Sequence, residues 1–224
     1  MGCLLKGGGG LYSRVVIGAV LLAAGSGSRL GGRPKCLLEL GGVPLIRRQL
    51  IALSGAGVDE VVVVLGHHAA AIEPAVQDFP VTIVHNPNPD DGQVSSQRIG
   101  LAALSGKLDA VIVALADQPL INAQDISDLI GAWKKRPAGC AVVHPEVGGE
   151  RGNPVIFSAE VRDAILAGGA DVGCRQWQAA HPDMVAPFVC DNRRYRVDID
   201  RPEDLARFEQ QTGHALRWPA ALQV

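Results

Sequence analysis

Charge of one sign, aromatic side chains, paired cysteines and long apolar runs are all scarce in this chain, and each scarcity removes a class of function. The 224 residues carry a formal charge of -2. No basic field exists to neutralise a polyanion, so nucleic acid is not an expected partner. Cys3, Cys36, Cys140, Cys174 and Cys190 are odd in number and form no C-x-x-C pair. That argues against a disulfide framework, a zinc site or a dithiol redox centre and fits a reduced cytoplasm. Cys36 has no activating base beside it and is expected to be a small packing residue. The apolar stretch 15–24 is too short to cross a bilayer and runs straight into a glycine loop that signal cleavage would destroy. Met1-Gly2-Cys3 lacks the myristoylation pattern, because Lys6 stands where Ser or Thr is required. No membrane association is expected. A G-x-S-x-G elbow and a metal-spaced histidine pair are also missing.

What is present is ordinary globular composition, 47% hydrophobic and 20% charged, in a length suited to one domain with a substantial core. Residues 1–13, with a run of glycines, are expected to be a disordered leader or expression remnant, 14–213 a single domain and 214–224 a C-terminal tail. Runs rich in valine and isoleucine alternate with segments of helical period, the pattern of a mostly parallel sheet covered by helices on both faces. Strands are expected at 15–22, 61–65, 81–85, 110–116 and 141–144, and an extended stretch at 197–200. Helices are expected at 44–54, 94–104, 123–135, 161–166, 175–180 and from 202 onward. Asn122, with Asp125 three residues on, has the form of an N-cap.

The loop Gly25-Ser26-Gly27-Ser28-Arg29-Leu30-Gly31-Gly32-Arg33-Pro34-Lys35 follows the first strand. Small residues there let successive backbone N–H groups face one concavity, and Arg29 and Lys35 add full charge, a combination suited to a triphosphate. It is not a Walker A loop, since no G-K-[ST] follows the required spacing. Nor is it a dinucleotide fingerprint: the third glycine falls one residue late, and Gly66-His67-His68 stands where an acidic residue should end the second strand. His67 and His68, being adjacent, are expected to be solvent-exposed.

These residues resemble the molybdenum-cofactor nucleotidyltransferases, specifically the cytidylyltransferase-like branch of the MobA-like nucleotide transferase superfamily. The matching motifs are Leu22-Ala23-Ala24-Gly25, Ser28-Arg29-Leu30-Gly31, Pro34-Lys35-Cys36-Leu37-Leu38, Gly92 with Ser95-Ser96, Leu115-Ala116-Asp117-Gln118-Pro119, Arg151-Gly152-Asn153-Pro154 and Asp198-Ile199-Asp200-Arg201-Pro202-Glu203-Asp204-Leu205. They span about residues 15–208. The resemblance implies a three-layer α/β/α sandwich with a Rossmann-like sheet, of the nucleotide-diphospho-sugar transferase type. It also implies a Mg2+ ion between the phosphates and two distant acidic positions. The nucleotide would be held by Ala23, Ala24, Gly25, Ser26, Gly27, Ser28, Arg29, Lys35, Gly92 and Ser96, although Ser95 and Ser96 could equally cap the helix expected near 94–104. Pro34, Asp198 and Asp200 depart from the guanylyl branch and tilt the nucleotide toward CTP over GTP. A molybdopterin-type acceptor, and a molybdoenzyme or its maturation chaperone as partner, follow from the same resemblance. Arg201 replaces the threonine usual in the late motif.

Magnesium prefers oxygen ligands and keeps several waters, so one or two carboxylates plus substrate phosphates suffice. Asp117 and Asp200 are the candidate ligands, each expected at the carboxyl end of an extended segment, with Asp198 as neighbour or alternate ligand. Asp200 could instead cap the last helix, and Asp117 could be a turn residue. Arg29, Lys35 and Asp117 form the candidate catalytic set, and Asn153 and Asp171 are candidates for lining the acceptor. Sugar- or alditol-phosphate transfer, or a non-catalytic nucleotide-binding maturation factor, would use the same loop.

Overall fold

The computed structural model describes residues 14–223; the leader expected at 1–13 lies outside the described residues. The central sheet contains β1 (Ile17–Ala23), β4 (Glu60–Leu65), β5 (Thr82–His85), β6 (Ala110–Leu115), β7 (Val142–Val147), β9 (Val155–Ser158) and β10 (Val185–Val189), in the spatial order β10-β7-β9-β6-β1-β4-β5. A short strand β8 (Glu150–Arg151) pairs with β7. Every neighbouring pair on that path is parallel except those made by β9, which runs antiparallel to β6 and β7. The sheet is therefore mostly parallel.

Continuous apolar strands follow from burial on both faces. Along β1, Ile17, Ala19, Leu21 and Ala23 enter one core cluster while Val20 and Leu22 enter another. The first face is covered by α1 (Leu45–Gly55) and α4 (Ala123–Lys134), through Ile46, Leu50, Leu53, Ile126, Leu129 and Ile130. The opposite face is covered by α3 (Gln93–Ala103), α5 (Ala159–Ala167) and α6 (Cys174–Ala180), through Leu101, Val161, Ile165, Cys174 and Trp177. A Cβ at Gly100 would lie 2.3 Å from Val20 Cγ1, so glycine is what lets α3 rest directly on β1. This is a three-layer α/β/α sandwich.

Asn122 caps α4 as the sequence predicts: its side chain accepts from the N–H groups of Gln124 and Asp125, and Asp125 reaches back to the Asn122 N–H. Asp125 also receives the Arg194 guanidinium at 2.6 Å while fully buried.

Several elements were not predicted. A second sheet joins β2 (Glu39–Leu40), β3 (Val43–Pro44) and β11 (Leu216–Arg217) in the order β11-β2-β3, and a single helical turn, α2 (Ala69–Ile72), follows β4. The segment expected as a tail thus contributes a strand. Leu216 is buried beside Leu30, Leu38, Leu40, Leu45, Ile199 and Phe208, and Trp218 lies 4.2 Å from the Arg33 guanidinium. The stretch 197–200 is not a strand. It follows a 3-10 turn at Arg193–Arg196 and runs past the end of β6, where one bond, Ile199 N–H to Asp117 O at 3.3 Å, replaces a ladder. The last helix, α7 (Pro202–Thr212), starts where expected.

Candidate active site

A cleft of about 530 Å³ opens along the carboxyl ends of β1 and β6, where the strand order reverses: β1 is followed by β4 toward one edge of the sheet and β6 by β7 toward the other. Open α/β sheets bind ligands in the crevice outside the carboxyl ends of their strands at such a point. Ala23, Ala24, Gly25, Ser26, Lys35, Gly92, Ser96, Asn153, Asp117, Asp198 and Asp200 all line it.

The loop after β1 does not enter a long helix. Gly27, with φ +63°, opens a 3-10 turn at Ser28–Leu30 that ends on Gly31, φ +72°. A Cβ on Gly27 would fall 1.8 Å from the Arg33 carbonyl oxygen, so both conformation and space require glycine there. Leu30 is buried in the third cluster and pins the turn. At Gly25 nothing lies within 4 Å of an added Cβ; the backbone there faces open cleft, as close approach of a ligand requires. A second 3-10 turn at Lys35–Leu37 presents Lys35, with Cys36 and Leu37 buried.

Lys35 Nζ lies 2.6 Å from Asp117 Oδ2 and 2.5 Å from Asp200 Oδ1, and Arg29 approaches Asp200 Oδ2 at 3.5 Å. Burial alone would lower the Lys35 pKa, but the two carboxylates outweigh it and hold the ammonium above its usual range. The hydrogen bond from Lys35 holds Asp200 below the usual carboxylate range. Asp198 is driven the other way, by desolvation within the cleft wall and then by the charges of Asp117 and Asp200. Both aspartates reach the cleft because Ile199 between them is buried. Asp200 does not cap α7; Asp204 does, accepting the N–H groups of Asp200 and Arg201 at 3.0 and 2.8 Å. The inner oxygen of Asp117, Oδ1, is buried with no hydrogen-bond partner among the described residues.

Gln118 holds the neighbouring segments together. Its buried amide donates to the carbonyls of Tyr195 at 3.1 Å and Asn153 at 3.3 Å, and its own carbonyl receives Gln49 at 2.6 Å. The D-Q-P turn therefore sends Asp117 into the cleft and uses Gln118 to hold the Asn153 segment beside it. Cys36 is buried and its thiol pushed up to about 12, chiefly by desolvation, as a packing residue would be.

Four expectations need amendment. Arg29 is largely exposed and touches the cleft through Asp200 rather than lining it, and Gly27 and Ser28 shape the loop without lining it. Asp171 is exposed in the turn between α5 and α6 and does not line the cleft; that turn folds over α3 rather than toward β6. Ser95 and Ser96 lie within α3, where both hydroxyls accept from Asn86, so neither caps it; Gly92 precedes the helix. His67 is solvent-exposed as expected, yet both histidines are tied to the glycine loop. His67 bridges Ala24 O (Nδ1, 3.1 Å) and Asp90 (Nε2, 2.8 Å), and His68 Nε2 lies 2.8 Å from Ser26 O. His67, Asp90 and Gln93 line the cleft, as does Arg175 from α6. No local pattern marks these four, since each reaches the cleft only through packing of distant elements.

Comparison with known proteins agrees with this arrangement. Residues 19–185 match the MobA-like NTP transferase domain. Nicotine blue oxidoreductase of Paenarthrobacter nicotinovorans is 32% identical over 193 residues, 84% of this chain and 94% of that protein. A nucleotidyl transferase from Methanothermobacter thermautotroptrophicus superposes with a TM-score of 0.70 at 26% identity, covering 88% of this chain and 97% of its own. Rv0371c of Mycobacterium tuberculosis gives 0.72 at 24% identity over 88% and 98%, and has also been solved in complex with manganese. A glycine loop and D-Q-P turn meeting at one cleft, the same sheet architecture and a family match over most of the length lead to one assignment: the chain belongs to the MobA-like NTP transferase family.

Proposed function

We propose that this protein transfers a nucleoside monophosphate from a triphosphate, CTP in preference to GTP, to a phosphorylated acceptor of the molybdopterin type in the cytoplasm, releasing pyrophosphate. The observation that carries this reading is the meeting of Lys35 with Asp117 and Asp200 at the edge of the glycine-loop cleft.

The site fits a magnesium ion. Its donors are carboxylate oxygens, Asp117 Oδ1 is buried and unpartnered, and Asp198 and Asp200 share the cleft wall. Among the described residues no group of three His, Cys, Asp or Glu side chains could hold a metal unaided. That suits an ion completed by substrate phosphates and water. Asp117 and Asp200 would hold it, with Asp198 adjacent, and when bound it would neutralise charge on the phosphates.

The loop amides from Ala24 to Ser26 receive phosphate oxygens, and Lys35 turns from its carboxylates to the incoming polyphosphate. Arg29 faces the same charge from the outer rim. An acceptor phosphate has a second pKa of ~6, so it is largely ionised at neutral pH and needs no general base. Its oxygen attacks the α-phosphorus in line; a P–O bond forms as the α–β bridge breaks, and the departing pyrophosphate is stabilised by Lys35 and Arg29.

The pyrophosphate released with each of four nucleoside triphosphates, magnesium and molybdopterin tests the proposal; no release with any of them would remove it. A second reading, reductive chemistry, is favoured by the name of the Paenarthrobacter relative. The loop does not match a dinucleotide fingerprint. Parallel assays of dye reduction with a reduced nicotinamide donor separate the two, as does sugar-phosphate competition for the rival acceptors.

A further inference from the structure

Arg175, which lines the cleft, and Arg151, two residues before the cleft residue Asn153, are cations that the phosphate loop leaves unused. Arg175 lines the cleft and has no carboxylate partner among the described residues. Arg151 leaves β8 toward α6 and donates to Gln178 Oε1, a neutral acceptor. The carboxylate beside it in sequence, Glu150, pairs instead with Arg196. Gln178 stands three residues from Arg175 on α6, where side chains at that spacing are neighbours, so its bond to Arg151 brings the second guanidinium to the part of α6 that carries Arg175; burial, and then the charge of Arg175, lower the basicity of Arg151. Placing like charges together without an anion is unfavourable, and a fork of planar donors is the arrangement that recognises phosphate.

The surroundings hold these side chains in place. Cys174 and Trp177 enter the core, which turns Arg175 on α6 outward to the cleft. Arg98 of α3 donates to the carbonyls of Ile165, Leu166, Gly168 and Val172, fixing the turn that launches α6. Gln97 accepts the Cys174 N–H at 3.0 Å, and Gln178 donates back to Cys174 O at 2.9 Å. Asn153, held through its carbonyl by Gln118, lines the same cleft two residues after Arg151.

We infer that Arg175 and Arg151 form the binding site for the acceptor's phosphate, a monoester dianion, with Asn153 beside it. The pair thus fills the acceptor-lining place that Asp171 does not occupy. The inference rests on the transfer reading for its chemistry, since the phosphate bound here would be the attacking group. A dianion offsets both guanidiniums, whereas a carboxylate offsets one.

The test uses the full chain with magnesium and calorimetric titration of phenyl phosphate and of benzoate. Each titration is run with and without a CTP analogue that cannot be cleaved between its α and β phosphorus. Phenyl phosphate is expected to bind more tightly than benzoate. Arg175→Gln and Arg151→Gln are each expected to weaken phenyl phosphate by about tenfold or more, with the affinity for the analogue unchanged. Arg175→Lys, which keeps the charge but loses the planar fork, should lie between, and serves if the glutamine variant does not fold. Unchanged phenyl phosphate affinity in the variants, or benzoate bound as tightly as the monoester, overturns the inference. If the analogue fails to bind wild type while the arginine variants still lose the monoester, the transfer reading falls and the arginine site stands.

Discussion

Replacing Lys35 by Met keeps most of the buried stem and removes only the ammonium that bridges Asp117 and Asp200 at 2.6 and 2.5 Å. The side chains of Lys35 and Asp117 are 20% and 18% exposed, and that of Asp200 is 44% exposed. Removing one partner of a fully buried pair costs about 3–5 kcal/mol, and a fully exposed pair contributes about 0–1. The Asp117 half lies nearer the first case and the Asp200 half nearer the second, which places the loss at about 2 kcal/mol. For a domain of this size that lowers the melting temperature by roughly 4–8 °C. Magnesium should then stabilise the variant more than wild type, because the ion no longer competes with an internal cation for the same oxygens. At a hundred times its dissociation constant the gain is about 2.7 kcal/mol, enough to offset the loss. Turnover should still fall by ~10²–10³-fold, since the ion cannot replace a donor aimed at the leaving pyrophosphate. Melting curves with magnesium and with chelator provide the measurement. A variant that melts with wild type, or magnesium stabilising both proteins equally, would refute the shared-oxygen reasoning.

Three other outcomes are expected. Gly27→Ala should weaken the triphosphate analogue and cost at least ~1–2 kcal/mol in denaturant titration, because φ +63° is strained for alanine and its Cβ would meet the Arg33 carbonyl oxygen; wild-type affinity would show that the loop's shape is immaterial. Asp198→Asn should raise the melting temperature in magnesium-free buffer at neutral pH. The folded pKa of Asp198 is raised, so its ionisation opposes folding; the advantage of the variant should vanish as pH falls below the ordinary value of 3.8, and a lowered melting temperature would contradict the assignment. His67 should titrate above its ordinary 6.5 by NMR, because only the protonated ring donates to both Ala24 O and Asp90, and Asp90→Asn should bring the value down. The support His67 gives the loop is complete below 6.5 and fades as pH rises through the raised value, so no change in Asp90→Asn would break the link.

The sheet was legible because its strands are buried on both faces and read as unbroken Val and Ile runs, with β4 and β6 the clearest. The second sheet was not, since its strands are two residues long and one of them, β11, comes from the far end of the described residues. Positions 197–200 misled because alternating Val, Asp, Ile and Asp have the period of a strand; only the lack of an adjacent edge beyond β6 shows that the alternation serves to bury Ile199 and expose two carboxylates. At the site, Lys35, Asp117 and Asp200 stand in recognisable motifs, so their meeting could be anticipated. Arg175 and His67 could not, because Arg175 depends on how α3 anchors α6 and His67 on how Asp90 comes across the cleft rim.

Lys35 and Asp200 lie 165 positions apart in the sequence. During synthesis the ribosome must therefore add 165 residues after Lys35 before this partnership exists, and a nascent product that stops short of Asp200 could fold the strands of its central sheet while lacking one of the two acids that meet the lysine. The lysine's pairing is thereby tied to synthesis through Asp200: a segment made long after the glycine loop supplies one of its two charge partners.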